Sequence, residues 1–103
     1  MAKKRPAKIT DVRSQIIQAV NSGEYLDVTH AQDRSRERNI TRPEYEYVLK
    51  NCFHERSKDE YMENYKAWNY AVRGHTIDGR DIRVVVSFDD NGMLIITVID
   101  LEK

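Results

Sequence analysis

The chain has 103 residues, enough for one compact domain and too few for two. Its 17 Lys/Arg and 17 Asp/Glu residues cancel, so the whole molecule has no field that would attract nucleic acid or an anionic membrane. The single cysteine, Cys52, excludes an intramolecular disulfide and is typical of a reducing compartment, and no apolar run is long enough to span a bilayer. These features predict a cytoplasmic protein without a membrane segment.

The N-terminal third of the sequence predicts a tail and a helix. Residues 1–8, MAKKRPAK, are polar and lack periodicity, so they are expected to form a loose basic tail before a single domain at 9–103. Apolar residues from Ile9 to Ser22 recur at the spacing of an amphipathic helix. Thr10 is its expected N-cap, and Gly23 lies just past its end.

Residues 30–39, HAQDRSRERN, are predicted to be helical because a threonine-led capping box precedes them. His30, Arg34 and Arg38 would form one cationic line on that helix, with the arginine forks suited to phosphate. The helix dipole disfavours a histidine cation in the first turn and leaves a neutral imidazole that can accept a proton. The alternative is a solvated helix face with Arg–Asp and Arg–Glu pairs.

A third helix is predicted from Arg42 to about Asn51, where Thr41 and Glu44 form a capping box and apolar residues again follow helical spacing. It is followed by 53–56, a candidate short strand, and by a charged connection.

The C-terminal part of the chain has the alternating pattern of strands. One strand is predicted from Lys66 to Ile77, and a hairpin is predicted from the apolar runs Ile82–Phe88 and Met93–Ile99 around Asp-Asp-Asn-Gly. Trp68 and Tyr70 could stack on bases, although core packing is the more common role for such residues. The predicted fold class is α+β, with N-terminal helices packed on one face of a three- to four-stranded antiparallel sheet.

Strand alternation also predicts which residues face away from the helices. The bulky side chains from Ile82 to Phe88 would pack under the helices, and Arg83 would lie on the other side with Asn69, Arg73 and Asp81. Arg83 is a candidate phosphate ligand, because it is predicted to lie on a rigid strand and not on a loop. The alternative is a solvent-facing arginine paired with Asp81 or with a cross-strand acid.

Several chemistries have no matching motif. The sequence contains no cysteine pair, His-x-x-x-His, glycine-rich phosphate loop or nucleophile elbow. Asp89 and Asp90 resemble a metal-binding pair, but they are typical residues of the predicted hairpin turn. The remaining histidine, arginine, tyrosine and carboxylate groups suit cleavage of RNA without a metal or other cofactor. In that reaction a base deprotonates the 2′-hydroxyl, cations stabilise the phosphorane, and an acid protonates the leaving oxygen.

The element order resembles the RelE-like toxin superfamily, small α+β ribonucleases of bacterial toxin–antitoxin systems. Residues 29–41, with the pattern T-H-A-x-x-R-x-x-x-R-x-I-T, and the strands GRDIRVVV and LIITVID are similar to an uncharacterised domain family grouped near these toxins. The segments KKRPAKITDVRSQIIQAVNSGEY and KAWNYAVRG resemble the motility and quorum-sensing regulator toxin, MqsR. That likeness places Asn69 at a strand glutamine, Arg56 near a catalytic lysine, and Asp81 at a functional tyrosine.

The resemblance implies a metal-independent endoribonuclease, an mRNA interferase, that is neutralised by a protein antitoxin. The residues expected in catalysis are His30, Arg34, Arg83, Arg56 and Asn69, and the expected further RNA contacts are Arg38, Arg73 and Arg80. Such toxins are usually basic, so the neutral net charge predicts a shallow salt dependence of RNA binding. The competing hypothesis is a non-catalytic module of the same fold that binds a protein or nucleic-acid partner through the cationic helix.

Overall fold

The computed structural model describes residues 7–28 and 40–102. Within these ranges the protein is α+β, with two helices packed against a six-stranded, mostly antiparallel sheet. The elements in chain order are α1 (Val12–Ser22), β1 (Tyr25–Asp27), α2 (Arg42–Lys50), β2 (Phe53–His54), a 3-10 helix (Arg56–Lys58), β3 (Glu60–Met62), β4 (Ala67–His75), β5 (Asp81–Asp89) and β6 (Gly92–Asp100). The helix predicted at 30–39 lies outside the described residues, as do residues 1–6 and 103.

Both helix starts follow local capping chemistry. The N-cap of α1 is Asp11 and not the predicted Thr10, because an Asp11 carboxylate oxygen accepts a hydrogen bond from the Ser14 backbone N–H at 3.2 Å. The capping box predicted for α2 is confirmed, since the backbone N–H and the hydroxyl of Thr41 each donate to Glu44 Oε1 at 2.8 Å.

The predicted α+β class is confirmed, and the sheet is larger than predicted. Its strands run in the order β1-β6-β5-β4-β2, and β3 also pairs with β4. The pair β1–β6 is parallel, and the other pairs are antiparallel. The sequence predicted three to four strands because β1, β2 and β3 contain only two or three residues each, too few for a periodic pattern.

The predicted hairpin is formed by β5 and β6. Asp89 pairs with Gly92, so the turn residues are Asp90 and Asn91, and Gly92 begins the next strand. Gly92 has a φ of 128°, and a Cβ at this position would lie 2.5 Å from the Glu24 carbonyl oxygen. The glycine is therefore needed for the close approach of the α1–β1 link, and not for the centre of the turn.

One apolar core lies between the helices and the sheet. The inward direction predicted for Ile82, Val84 and Val86 is confirmed, since all three are fully buried. Tyr70 is buried in the same core and Trp68 packs against it, which agrees with the core alternative for these aromatics. Neither helix in the described ranges is long and apolar enough to cross a membrane.

Candidate functional site

The sheet face opposite α1 and α2, called here the open face, carries a cluster of four charged residues. Arg73 on β4 and Arg83 on β5 lie directly opposite each other in the strand register. Like charges at such positions destabilise a sheet unless acids compensate them. Asp81 and Glu55 supply these acids, and the four residues form the charge cluster: Glu55, Arg73, Asp81 and Arg83.

Forked ion pairs connect the charge cluster. Arg83 donates from Nε to Glu55 Oε1 at 2.7 Å and from Nη2 to Glu55 Oε2 at 3.3 Å. Arg73 donates from Nε to Asp81 Oδ1 at 2.9 Å and from Nη2 to Asp81 Oδ2 at 2.5 Å. A second guanidinium nitrogen of Arg73, Nη1, lies 3.6 Å from Glu55 Oε2. Glu55 therefore contacts both arginines.

These contacts keep the cluster ionised. The Arg83 hydrogen bonds hold the pKa of the Glu55 carboxyl below its usual value, and the Arg73 hydrogen bonds do the same for the pKa of Asp81. The hydrogen bonds to Asp81 in turn raise the pKa of Arg73. Two cations and two anions face one another at neutral pH, so the cluster has no net formal charge.

A groove with a cavity volume of about 700 Å³ lies further along the open face. Its apolar lining includes Val28, Met62, Tyr65, Leu94 and Ile96, and its polar lining includes Asn69, Ser87, Thr97 and Asp89. In the part of the chain that the structure describes, no lysine or arginine lines this groove. The groove is thus a mainly apolar neighbour of a charged cluster on the same sheet face.

The structure brings together three of the predicted site residues. Alternation correctly placed Asn69, Arg73 and Arg83 on the face away from the helices, with Arg73 and Arg83 in register and Asn69 on the same strand as Arg73. Arg56 is exposed on the 3-10 helix, next to Glu55 in sequence. Arg73 and Arg83 thus form the directly opposed pair, and Asn69 lies four residues before Arg73 on β4, in the lining of the groove.

Arg80 does not join this group. Arg80 lies in the β4–β5 loop and forms an ion pair with Glu44 of α2, and its guanidinium lies 3.6 Å from Asp78 Oδ2 and 3.8 Å from Asp100 Oδ2. It connects the end of the sheet to a helix. His30, Arg34 and Arg38 lie outside the described residues.

Glu55 was missed by the sequence interpretation. Its backbone N–H donates to the Ala71 carbonyl at 2.8 Å, which continues the β2–β4 pairing past His54. Extending the alternation from Phe53, which lies opposite Arg73, would have placed Glu55 on the arginine side. The signal is short, because β2 has only two residues.

A second missed group is centred on Asp59, whose side chain is 1 % exposed. The Asp59 carboxylate lies 2.8 Å from His54 Nε2, accepts the Ala71 N–H at 3.0 Å, and lies 2.7 Å from Lys8 Nζ. Lys8 also lies 5.0 Å from the centre of the Trp68 ring. The last residue of the predicted loose tail is therefore anchored to the sheet edge.

Among residues 7–28 and 40–102, no group of three or more His, Cys, Asp or Glu side chains is arranged to hold a metal ion. The charge cluster has the chemistry of an anion site: two guanidinium groups that bind carboxylates in the forked geometry that also fits phosphate.

A family model matches residues 28–100, and its description is Domain of unknown function (DUF4258). Because the match covers more than half of the chain, the protein belongs to the DUF4258 family. The matched range begins after β1 and includes every residue predicted for catalysis or RNA contact. No curated protein matches the chain.

Proposed function

We propose that this DUF4258 protein is a metal-independent endoribonuclease of a bacterial toxin–antitoxin system, which cleaves mRNA in the cytoplasm and is neutralised by a protein antitoxin. The observation that carries the proposal is the arrangement of Arg73, Arg83 and Asn69 on one face of a rigid sheet. On the same face, the groove reaches Val28, two residues before His30 in the sequence. The described residues thus supply the phosphate ligands of the proposal, and the base, His30, is assigned from the sequence.

The proposed reaction needs a base, an acid and cations. His30 takes the proton from the 2′-hydroxyl, and the resulting oxygen attacks the adjacent phosphorus. Arg83 and Arg34 stabilise the extra negative charge of the phosphorane, with Arg38, Arg56 and Arg73 as further phosphate contacts and Asn69 orienting the substrate. The bond from phosphorus to the 5′-oxygen breaks, and that oxygen takes a proton from a water molecule, which acts as the acid. The products are a 2′,3′-cyclic phosphate and a 5′-hydroxyl end.

RNA end mapping in bacteria tests this function. Cells would express the wild type, the double variant His30→Ala/Arg83→Ala, or Arg13→Ala, and new 5′-hydroxyl ends would be counted. The wild type should stop growth and create such ends, and the double variant should lower cleavage at least about 100-fold, because it lacks the base and a phosphate ligand. Arg13→Ala controls for the loss of one arginine charge, since Arg13 is exposed on α1, on the covered side of the sheet.

Two results would count against different parts of the proposal. A wild type that creates no new 5′-hydroxyl ends contradicts the nuclease function. Cleavage that persists in the double variant contradicts the assigned site and leaves the reaction class in place. Cleavage by the purified protein should also survive chelation by EDTA, because no step of the proposed mechanism uses a metal ion.

The second candidate function is a non-catalytic module that binds a protein partner. It is favoured by the groove, whose described lining is mainly apolar and lacks cations, and by the pairing of Arg73 and Arg83 with carboxylates. This candidate predicts no RNA cleavage by the wild type. It also predicts that Leu94→Asp, which puts a charge into the groove, releases the partner that copurifies with the wild-type protein.

A further inference from the structure

We propose that Glu55 is a built-in competitor for the substrate phosphate, so that the Arg73–Arg83 pair is an anion site occupied by the protein's own carboxylate. This inference rests on the proposed function for its ligand, a phosphate of single-stranded RNA. It gives that site a means of regulation, because the carboxylate must leave before the phosphate binds.

The geometry of Glu55 is that of a bound anion. Its two carboxylate oxygens accept hydrogen bonds from Nε and Nη2 of Arg83, at 2.7 and 3.3 Å. One of these oxygens, Oε2, also lies 3.6 Å from Arg73 Nη1 and so contacts both cations. Phosphate oxygens have the spacing that suits the same fork. A phosphate in the place of the carboxylate would contact both arginines without moving either strand.

The two acids of the charge cluster have different roles. Asp81 is part of β5, and its two hydrogen bonds orient Arg73 whether or not Glu55 is present. Glu55 lies between β2 and the 3-10 helix, and its backbone N–H bonds to Ala71 independently of its side chain. Its side chain can therefore leave the arginines without breaking strand pairing. Asp81 is the positioning acid, and Glu55 is the exchangeable one.

Burial makes the exchange selective. The side chains of Glu55 and Arg83 are only 12 % and 19 % exposed, so their ion pair is better protected from solvent than a fully exposed pair. A single weakly bound anion does not displace Glu55 easily. A ligand with several phosphates has additional contacts with which to offset the lost ion pair. The site should thus select a polynucleotide over an isolated anion.

RNA binding can be measured separately from cleavage. The probe is a fluorescent eight-residue oligouridylate with 2′-O-methyl groups, which lacks the attacking hydroxyl, and anisotropy gives its Kd for the purified full-length protein. Glu55→Gln keeps the side-chain shape and removes the competing charge. We expect it to bind about fivefold more tightly than the wild type, the upper range for one ion pair. For each additional phosphate that the variant binds, the plot of log K against log salt should steepen by about 0.7.

The matched control is Glu24→Gln, which makes the same change in net charge at an exposed residue between α1 and β1. It should change the Kd less than about twofold, the range of an isolated surface charge. The double variant Glu55→Gln/Arg83→Gln should lose the tighter binding, because the freed cation is absent. The proposal is overturned if Glu55→Gln binds no more tightly than Glu24→Gln, or if the tighter binding remains in the double variant.

A measurement on the wild type keeps the proposal testable if a variant fails to fold. With uniform ¹³C/¹⁵N labelling, the Nε–H resonance of Arg83, assigned through bonds from its own backbone in the wild type, should shift as the same oligonucleotide is added. An Arg83 resonance that stays fixed while the oligonucleotide binds would overturn the exchange. A protein that shows the exchange but never cleaves RNA would overturn only the proposed function, and a nuclease without the exchange would overturn only this inference.

Discussion

The two faces of the sheet use the same strands for different purposes. On β5, Val84 is fully buried under the helices, and its neighbour Arg83 lies in the charge cluster of the open face. The covered face consists mainly of apolar side chains, whereas the open face combines ion pairs with a groove. One strand can serve both faces because successive side chains point in opposite directions. Along β5, one set of alternating residues therefore packs in the core, and the other set faces the charge cluster.

The two faces should also respond to different perturbations. Interactions on the covered face depend on volume, because close-packed apolar side chains leave no room for rearrangement. Interactions in the charge cluster depend on ionisation, because two arginines in register need two carboxylates. Truncation of a core side chain should therefore have the largest effect on stability. Protonation of the carboxylates in the charge cluster should have the smallest effect.

The largest difference is expected between two neighbouring isoleucines of β6. Ile95 is fully buried, whereas Ile96 lines the groove. In the register of β5 and β6, Val86 pairs with Ile95 and Val85 pairs with Thr97, so Ile96 is an extra residue between the two pairs. Ile95→Ala should lower the free energy of unfolding by about 2–5 kcal/mol, because it leaves a cavity in the core. Ile96→Ala should lower it by about 1 kcal/mol or less. Urea denaturation gives both values, and equal losses would contradict the division between the faces.

A smaller effect is expected at the start of α2, which covers the sheet. Thr41→Ala removes the hydroxyl of the capping box and should lower the free energy of unfolding by about 1 kcal/mol. Thr10→Ala is the matched control, because Asp11 and not Thr10 caps α1. Thermal and urea unfolding of both variants measure the difference. A loss in Thr10→Ala as large as that in Thr41→Ala would contradict the assignment of the caps.

The smallest effect is expected from acid titration of the charge cluster. The pKa of Glu55 is lowered from its ordinary value of 4.5, chiefly by its hydrogen bonds with Arg83. A lowered pKa in the folded state contributes stability that is present above about pH 4.5 and is lost as the pH falls through the folded value. The Asp81 carboxyl, whose pKa is also lowered, acts in the same direction.

Urea midpoints measured from about pH 7 down to about pH 3 test this contribution. The wild type should lose more stability over this range than Glu55→Gln, which has no carboxyl to protonate. Parallel pH profiles for the two proteins would show that the Glu55–Arg83 pair adds nothing to stability. In that case the charge cluster would affect only ligand binding, and the contrast with the covered face would be sharper.

Much of the fold follows from local patterns in the sequence. The α2 capping box and the hairpin runs predicted their elements, and strand parity predicted that Arg83 and Arg73 share a face. Local patterns did not predict the edge strands, which are too short for a period. Nor did they predict the partner of Arg83, because Glu55 is 28 residues away in sequence and no local rule connects the two.

The sequence by itself determined the two described helices, the hairpin and the face on which the residues of β4 and β5 lie, because these depend on contacts within a few residues and on the two-residue period of a strand. The tertiary structure decided how the arginines are used. Only the folding of β2 beside β4 brings Glu55 to Arg73 and Arg83 and turns two exposed cations into a balanced cluster. Charge pairing between distant segments depends on which strands become neighbours, and that is settled by the packing of the whole sheet.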